Sequence, residues 1–125
     1  MAPKARVTGI GGVFFAAKDP AALAAWYQRE LGVELTEWGG AIFPAGDADA
    51  VTTWTIRPAA DAPFAPGTAP FMVNYRVDDL AGLLAGLRAS GAQVVGEPDE
   101  SEYGKFGWVV DPEGNKIELW EPPTG

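Results

Sequence analysis

Two apolar stripes at helical spacing and a set of alternating runs divide the 125 residues. Residues 7–17 are apolar and glycine-rich around Val13, Phe14 and Phe15, as expected of a strand covered on both faces. Asp19 and Pro20 then supply a helix cap and a first helical position. Leu23, Trp26, Tyr27 and Leu31 follow on one face, and Gly32 marks the stop. Strands are predicted at 33–38, 41–44 and 51–56, with turns at Gly39-Gly40 and at 46–49. Residues 58–70 hold four prolines and no periodicity, which predicts a linker. Residues 71–77 alternate, with Met72, Asn74 and Arg76 on one face and Val73, Tyr75 and Val77 on the other. Asp78-Asp79 opens a second helix with a stripe of Leu80, Leu83, Leu84 and Leu87, closed by Gly91. A strand at 93–95, a polar loop at 96–105 and a hairpin over 106–120 complete the chain.

The two halves repeat. An offset of 60 carries Asp19, Ala21, Leu23 and Ala25 onto Asp79, Ala81, Leu83 and Ala85, and an offset of 59 carries Gly32 onto Gly91. Each half is a strand, a helix and then about three strands. One such unit of ~55 residues would leave a sheet face and edges open, so two units must cover each other, within one chain or between chains. The boundaries are residues 7–57 and 71–122, joined by the linker, in a single domain.

In the hairpin, Asp111-Pro112-Glu113-Gly114-Asn115 is dense in turn formers, and Lys116 to Trp120 alternates. Ile117 and Leu119 share one face; Lys116, Glu118 and Trp120 share the other. A tight turn places Trp108 opposite Glu118. The stretch from Asp111 to Leu119 resembles the closing hairpin of the vicinal-oxygen-chelate superfamily, which contains glyoxalase I, bleomycin-resistance proteins and extradiol dioxygenases. The resemblance implies an α+β fold: two βαβββ modules whose mixed sheet curls around a cavity, with the helices outside. It also implies that Glu118 stands where metal-dependent members carry a metal-binding glutamate.

Composition narrows the chemistry. Histidine and cysteine are both absent, which removes disulfides, thiolate chemistry and the commonest metal ligand and general base. Where the superfamily commonly places a ligand histidine, seven residues before each capping aspartate, this chain has Gly12 and Met72; the remaining ligand position falls near Trp54 or Thr55. One carboxylate is too little for a divalent cation. No metal or other cofactor is therefore expected. The net charge of −8 argues against nucleic acid and anionic membrane as partners. No apolar run is long enough for a signal peptide or a membrane span, so a cytoplasmic protein is expected.

Five Trp, three Tyr and six Phe favour an aromatic-walled pocket. Strand parity brings Phe14, Trp54, Met72, Asn74, Arg76, Trp108 and Trp120 to a cavity around Glu118. Core packing is the commoner fate of any one Trp, and Glu118 has an equally plain role as a partner for Arg76 or Lys116. For residues 111–115 a purely structural role dominates. Two functions follow from the resemblance. The first is a homodimeric binding protein that sequesters an aromatic or polycyclic small molecule, as bleomycin-resistance proteins hold their drug. The second is a glyoxalase-like lyase or isomerase, or a dioxygenase, using Glu118 as its catalytic group with an incomplete or substrate-assisted metal site.

Overall fold

The computed structural model describes residues 12–44 and 51–123. Two helices and five strands are present among them. Helix α1 spans Pro20–Leu31. Strand β1 (Val73–Arg76) precedes helix α2 (Leu80–Ala89), and β2 (Gln93–Val94), β3 (Asp99–Ser101), β4 (Gly104–Val110) and β5 (Lys116–Glu121) follow. The strands form one open mixed sheet of order β1-β5-β4-β2, with β3 also paired to β4. The β1–β5 pairing is parallel, and the pairings of β4 with β2, β3 and β5 are antiparallel. This is an α+β architecture with both helices on one side of the sheet.

Both helices start as their sequences dictate. The Asp19 carboxylate accepts from the Ala22 amide at 3.1 Å, and the Asp79 carboxylate from the Gly82 amide at 3.0 Å. Each satisfies a backbone donor that the first turn leaves unpaired. Gly32 ends α1 in the left-handed region, at φ 69°. The second helix stops slightly earlier than its glycine, with Ser90 as its cap. Glutamates of the hairpin reach both helix starts. Glu113 accepts from the Lys18 and Asp19 amides at 3.1 and 3.3 Å, and Glu121 from the Leu80 amide at 2.9 Å.

The core follows the predicted stripes. Leu23, Trp26 and Tyr27 of α1 meet Leu80, Leu84 and Leu87 of α2 over Val109, Ile117 and Leu119 of the hairpin. Ile117 and Leu119 are 1% and 0% exposed, which fixes the register of β5, because a one-residue slip would send both to the opposite face. Gly107 lets α2 approach: a Cβ there would meet Leu84 Cδ1 at 3.0 Å.

One buried carboxylate joins the layers. Asp111 is 3% exposed and accepts from the Tyr27 hydroxyl at 2.8 Å. It also accepts from the amides of Glu113 and Asn115, both at 2.9 Å, and from the Asn115 side chain. The turn and the first helix are thus tied to one side chain. Burial, then Tyr75, then Asp111 raise the Tyr27 pKa above tyrosine's usual 10.0. Tyr75 is raised too, chiefly by burial.

Two expectations need correction. The loop predicted at 96–105 contains β3, whose Asp99 and Glu100 pair with Phe106 and Lys105. Its polar side chains hide the signal, since all three β3 residues are exposed and the strand exists through its backbone pairing. In the first half, the described parts of the predicted strands, residues 12–17, 33–38, 41–44 and 51–56, carry no strand. A strand forms only against a partner backbone. Among the described residues these segments pair with none, and Phe14, Ile42, Phe43 and Trp54 stand exposed. The Gly39-Gly40 turn does form, with the Thr36 amide donating to Gly40 O at 2.8 Å. The linker carries one 3-10 turn, Ala59–Asp61. Residues 1–11 and 45–50 lie outside the described residues, and with them the predicted loose end, the start of the first strand and the polar turn at 46–49.

Ile117→Ala is expected to cost about 2–5 kcal/mol, since the residue is fully buried under α2. Asp111→Ala should cost about 3 kcal/mol, because it leaves the buried Tyr27 hydroxyl and two turn amides without an acceptor. Urea melts of both variants check this. Stability should also fall above about pH 10, where unfolded tyrosines lose protons that Tyr27 and Tyr75 still hold in the folded chain. Their contribution is complete below the unfolded pKa and disappears as pH rises toward the folded one. Denaturant melts across the alkaline range test it, and a Tyr27→Phe chain should show a shallower fall.

Candidate functional site

The face of the sheet away from the helices carries the candidate residues. The hairpin register sets Trp108 opposite Glu118 and Phe106 opposite Trp120. The parallel pairing sets Asn74 beside Glu118 and Arg76 beside Trp120. Two rows result, Asn74-Glu118-Trp108 and Arg76-Trp120-Phe106. Alternation brings these side chains to the outer face, just as it brings Ile117 and Leu119 to the core.

Glu118 is half-buried and centred in the first row. Asn74 Nδ2 donates to its Oε1 at 2.7 Å, and the Trp108 indole N–H donates to its Oε2 at 2.9 Å. The Trp120 indole N–H donates to the Tyr103 carbonyl at 2.8 Å. Both indoles have therefore spent their only donor and offer ring faces alone. Trp120 lies nearly parallel to Phe106, with ring centres 6.2 Å apart and planes at 14°. The Lys116 ammonium sits over the Trp108 ring, 5.8 Å from its centre.

The alternative role of Glu118, as a partner for Arg76 or Lys116, is not seen among the described residues. Arg76 Nη2 donates to the Val51 carbonyl at 3.0 Å, and Lys116 Nζ to the Pro63 carbonyl at 3.4 Å. Neither forms an ion pair with Glu118 among the described residues. Each cation instead donates to a loop carbonyl.

The structure brings together five of the eight predicted site residues: Asn74, Arg76, Trp108, Glu118 and Trp120. Met72 precedes β1 by one residue and is half-buried. Phe14 and Trp54 stand apart from the rows, 93% and 75% exposed, although Arg76 holds Val51, three residues before Trp54. Phe106 and Lys116 were missed as members. Register alone finds Phe106, because pairing Trp108 with Glu118 forces Phe106 opposite Trp120.

Neither of the two clefts best formed among the described residues is centred on these rows. An open cleft of about 580 Å³ lies where β1 runs into α2, lined by Leu31, Arg76, Asp78, Asp79, Leu83 and Pro122 among others. It shares only Arg76 with the rows. Its carboxylate Asp79 is committed to capping α2. We therefore place the candidate site on the open sheet face. Among the described residues no three His, Cys, Asp or Glu side chains cluster as metal ligands. No helix among them is long and apolar enough to cross a membrane.

A family model described as a glyoxalase-like domain matches residues 12–120. No curated protein matches the chain. Solved structures share the fold at low identity. A glyoxylase/bleomycin resistance protein/dioxygenase domain from Frankia sp. EAN1pec aligns at TM-score 0.59 and 17% identity, over 94% of this chain and 100% of that one. TnmS3, an antibiotic binding protein from Streptomyces sp. CB03234, aligns at 0.53 and 23%, over 85% and 88%. TioX from Micromonospora sp. ML1 aligns at 0.54 and 20%, over 88% and 93%.

Glu118→Ala should leave the fold intact, within about 1 kcal/mol, because water can reach the donors it releases on the open face. The Trp108 indole loses its carboxylate partner, so tryptophan emission should shift while the unfolding midpoint stays close to that of the parent chain.

Proposed function

The chain belongs to the glyoxalase-like family of the vicinal-oxygen-chelate superfamily, and from that premise we propose that it is a metal-free, cytoplasmic binding protein for an aromatic or polycyclic small molecule. One observation carries the reading. Three aromatic rings, a carboxylate, an amide and a guanidinium share the sheet face that the helices leave open. Ring faces with a few polar groups are what a flat ligand needs. The binding of an antibiotic that is ascribed to TnmS3 fits the same ligand chemistry. The second module supplies the rows. The first supplies the cover, either from its own chain or from a second copy in a homodimer. Exposed apolar residues of the first half, Phe14, Ile42, Phe43, Trp54 and Ile56, support that covering role.

The enzyme alternative asks Glu118 to hold a metal or take a proton. Both its oxygens already accept hydrogen bonds from neutral donors, and among the described residues it belongs to no group of three His, Cys, Asp or Glu side chains. A ligand-bound metal needs more protein donors than this row offers.

A panel of flat polycyclic compounds should quench tryptophan emission saturably and emerge chemically unchanged. Trp108→Ala should weaken that binding by about tenfold or more, as expected for one aromatic contact. Light scattering should give the mass of two chains. Turnover of a panel member, or one equivalent of Zn, Ni, Mn or Fe surviving dialysis, overturns the reading in favour of an enzyme.

A further inference from the structure

We propose that the open face takes an aromatic cation: a flat ring system laid on the indoles, with an ammonium or similar positive group set against Glu118. The inference rests on the reading of this face as a ligand surface and adds the sign of the ligand's charge.

Glu118 is a carboxylate whose hydrogen-bond partners among the described residues are both neutral. Among the described residues each oxygen receives one hydrogen bond, from Asn74 at 2.7 Å and from Trp108 at 2.9 Å, and a carboxylate oxygen can accept a second. These bonds fix the carboxylate without neutralising it. Two cations stand close by on the same face. Lys116 is two residues before Glu118 on β5, and Arg76 is two residues after Asn74, the strand neighbour of Glu118. Both side chains go instead to loop carbonyls, of Pro63 and Val51. Neither cation forms an ion pair with the Glu118 carboxylate among the described residues, although Lys116 stays near it over the Trp108 ring.

The ring beside that anion already accepts a cation. Lys116 Nζ lies over Trp108 at 5.8 Å, so the structure shows a positive group on this indole face. Because the Trp108 and Trp120 N–H groups are both committed, a ligand meets only their electron-rich faces. A carboxylate flanked by such faces suits an organic cation, which needs no further ligand atoms. A compact divalent ion would need them, and no cluster of three donors exists among the described residues. The net charge of −8 also draws cations toward the chain.

The test compares three probes with one ring system by isothermal titration of the full chain at low salt: naphthylmethylammonium, naphthylmethanol and naphthoate. The ammonium should bind about ten- to a hundredfold more tightly than the alcohol, as one charge-assisted hydrogen bond allows, with naphthoate weakest. E118Q should bring the ammonium down to the affinity of the alcohol. Should E118Q fold poorly, the wild-type ranking decides alone. Equal or tighter binding of the alcohol or of naphthoate overturns the charge assignment and leaves the ligand surface standing, as does a well-folded E118Q that keeps the preference. Binding of none of the three removes the ligand surface itself, and this inference with it.

Discussion

Much of the described structure depends on the bonds gathered by Asp111. A buried carboxylate is costly unless its acceptor sites are filled, and here they are filled by groups that lie far apart in sequence. Two turn amides fix the loop between β4 and β5. The Tyr27 hydroxyl fixes α1 against that loop. Glu113, held within the same turn, reaches on to the amides that precede α1. The hairpin register and the seat of the first helix are therefore set by the same few atoms. No buried side-chain nitrogen or oxygen among the described residues lacks a partner, so the cost of this carboxylate is offset where it arises.

Once the turn is set, the pleat does the rest. Ile117 and Leu119 go under α2, and Lys116, Glu118 and Trp120 go to the open face. Core and candidate site are two sides of one strand, so neither can change register alone. Replacements on the outer face leave the inner face packed. A hairpin of this kind can vary its ligand chemistry at little cost in stability, which suits a fold shared by binding proteins and enzymes.

The second half was legible because each of its signals had a single physical cause. Asp79 caps because its carboxylate reaches the Gly82 amide. The leucine stripe of α2 is buried because it has a sheet to cover. Trp108 meets Glu118 because the five-residue turn between Val110 and Lys116 sets that register. What escaped were features without a side-chain signature. Strand β3 is polar and is held by backbone pairing. The pairing of Arg76 and Lys116 depends on where two loop carbonyls fall, which no local pattern encodes. The first half failed for another reason: its β-branched and aromatic residues mark strands correctly in propensity, but propensity does not provide a partner.

That last failure bears on the site. The first half contributes α1, which is buried well and capped as its sequence says. Its strand-like segments remain apolar and exposed, with Phe14 at 93%. The outer face of β1, β5 and β4 is at the same time aromatic, with Phe106, Trp108 and Trp120 only half-buried among the described residues. Each surface has what the other lacks: the segments need a backbone partner and a cover for their rings, and the face needs walls to become a pocket. An apolar ligand between them would remove water from both. Covering either surface with the other would bury apolar area on both, the same driving force that packs the helices on the inner face.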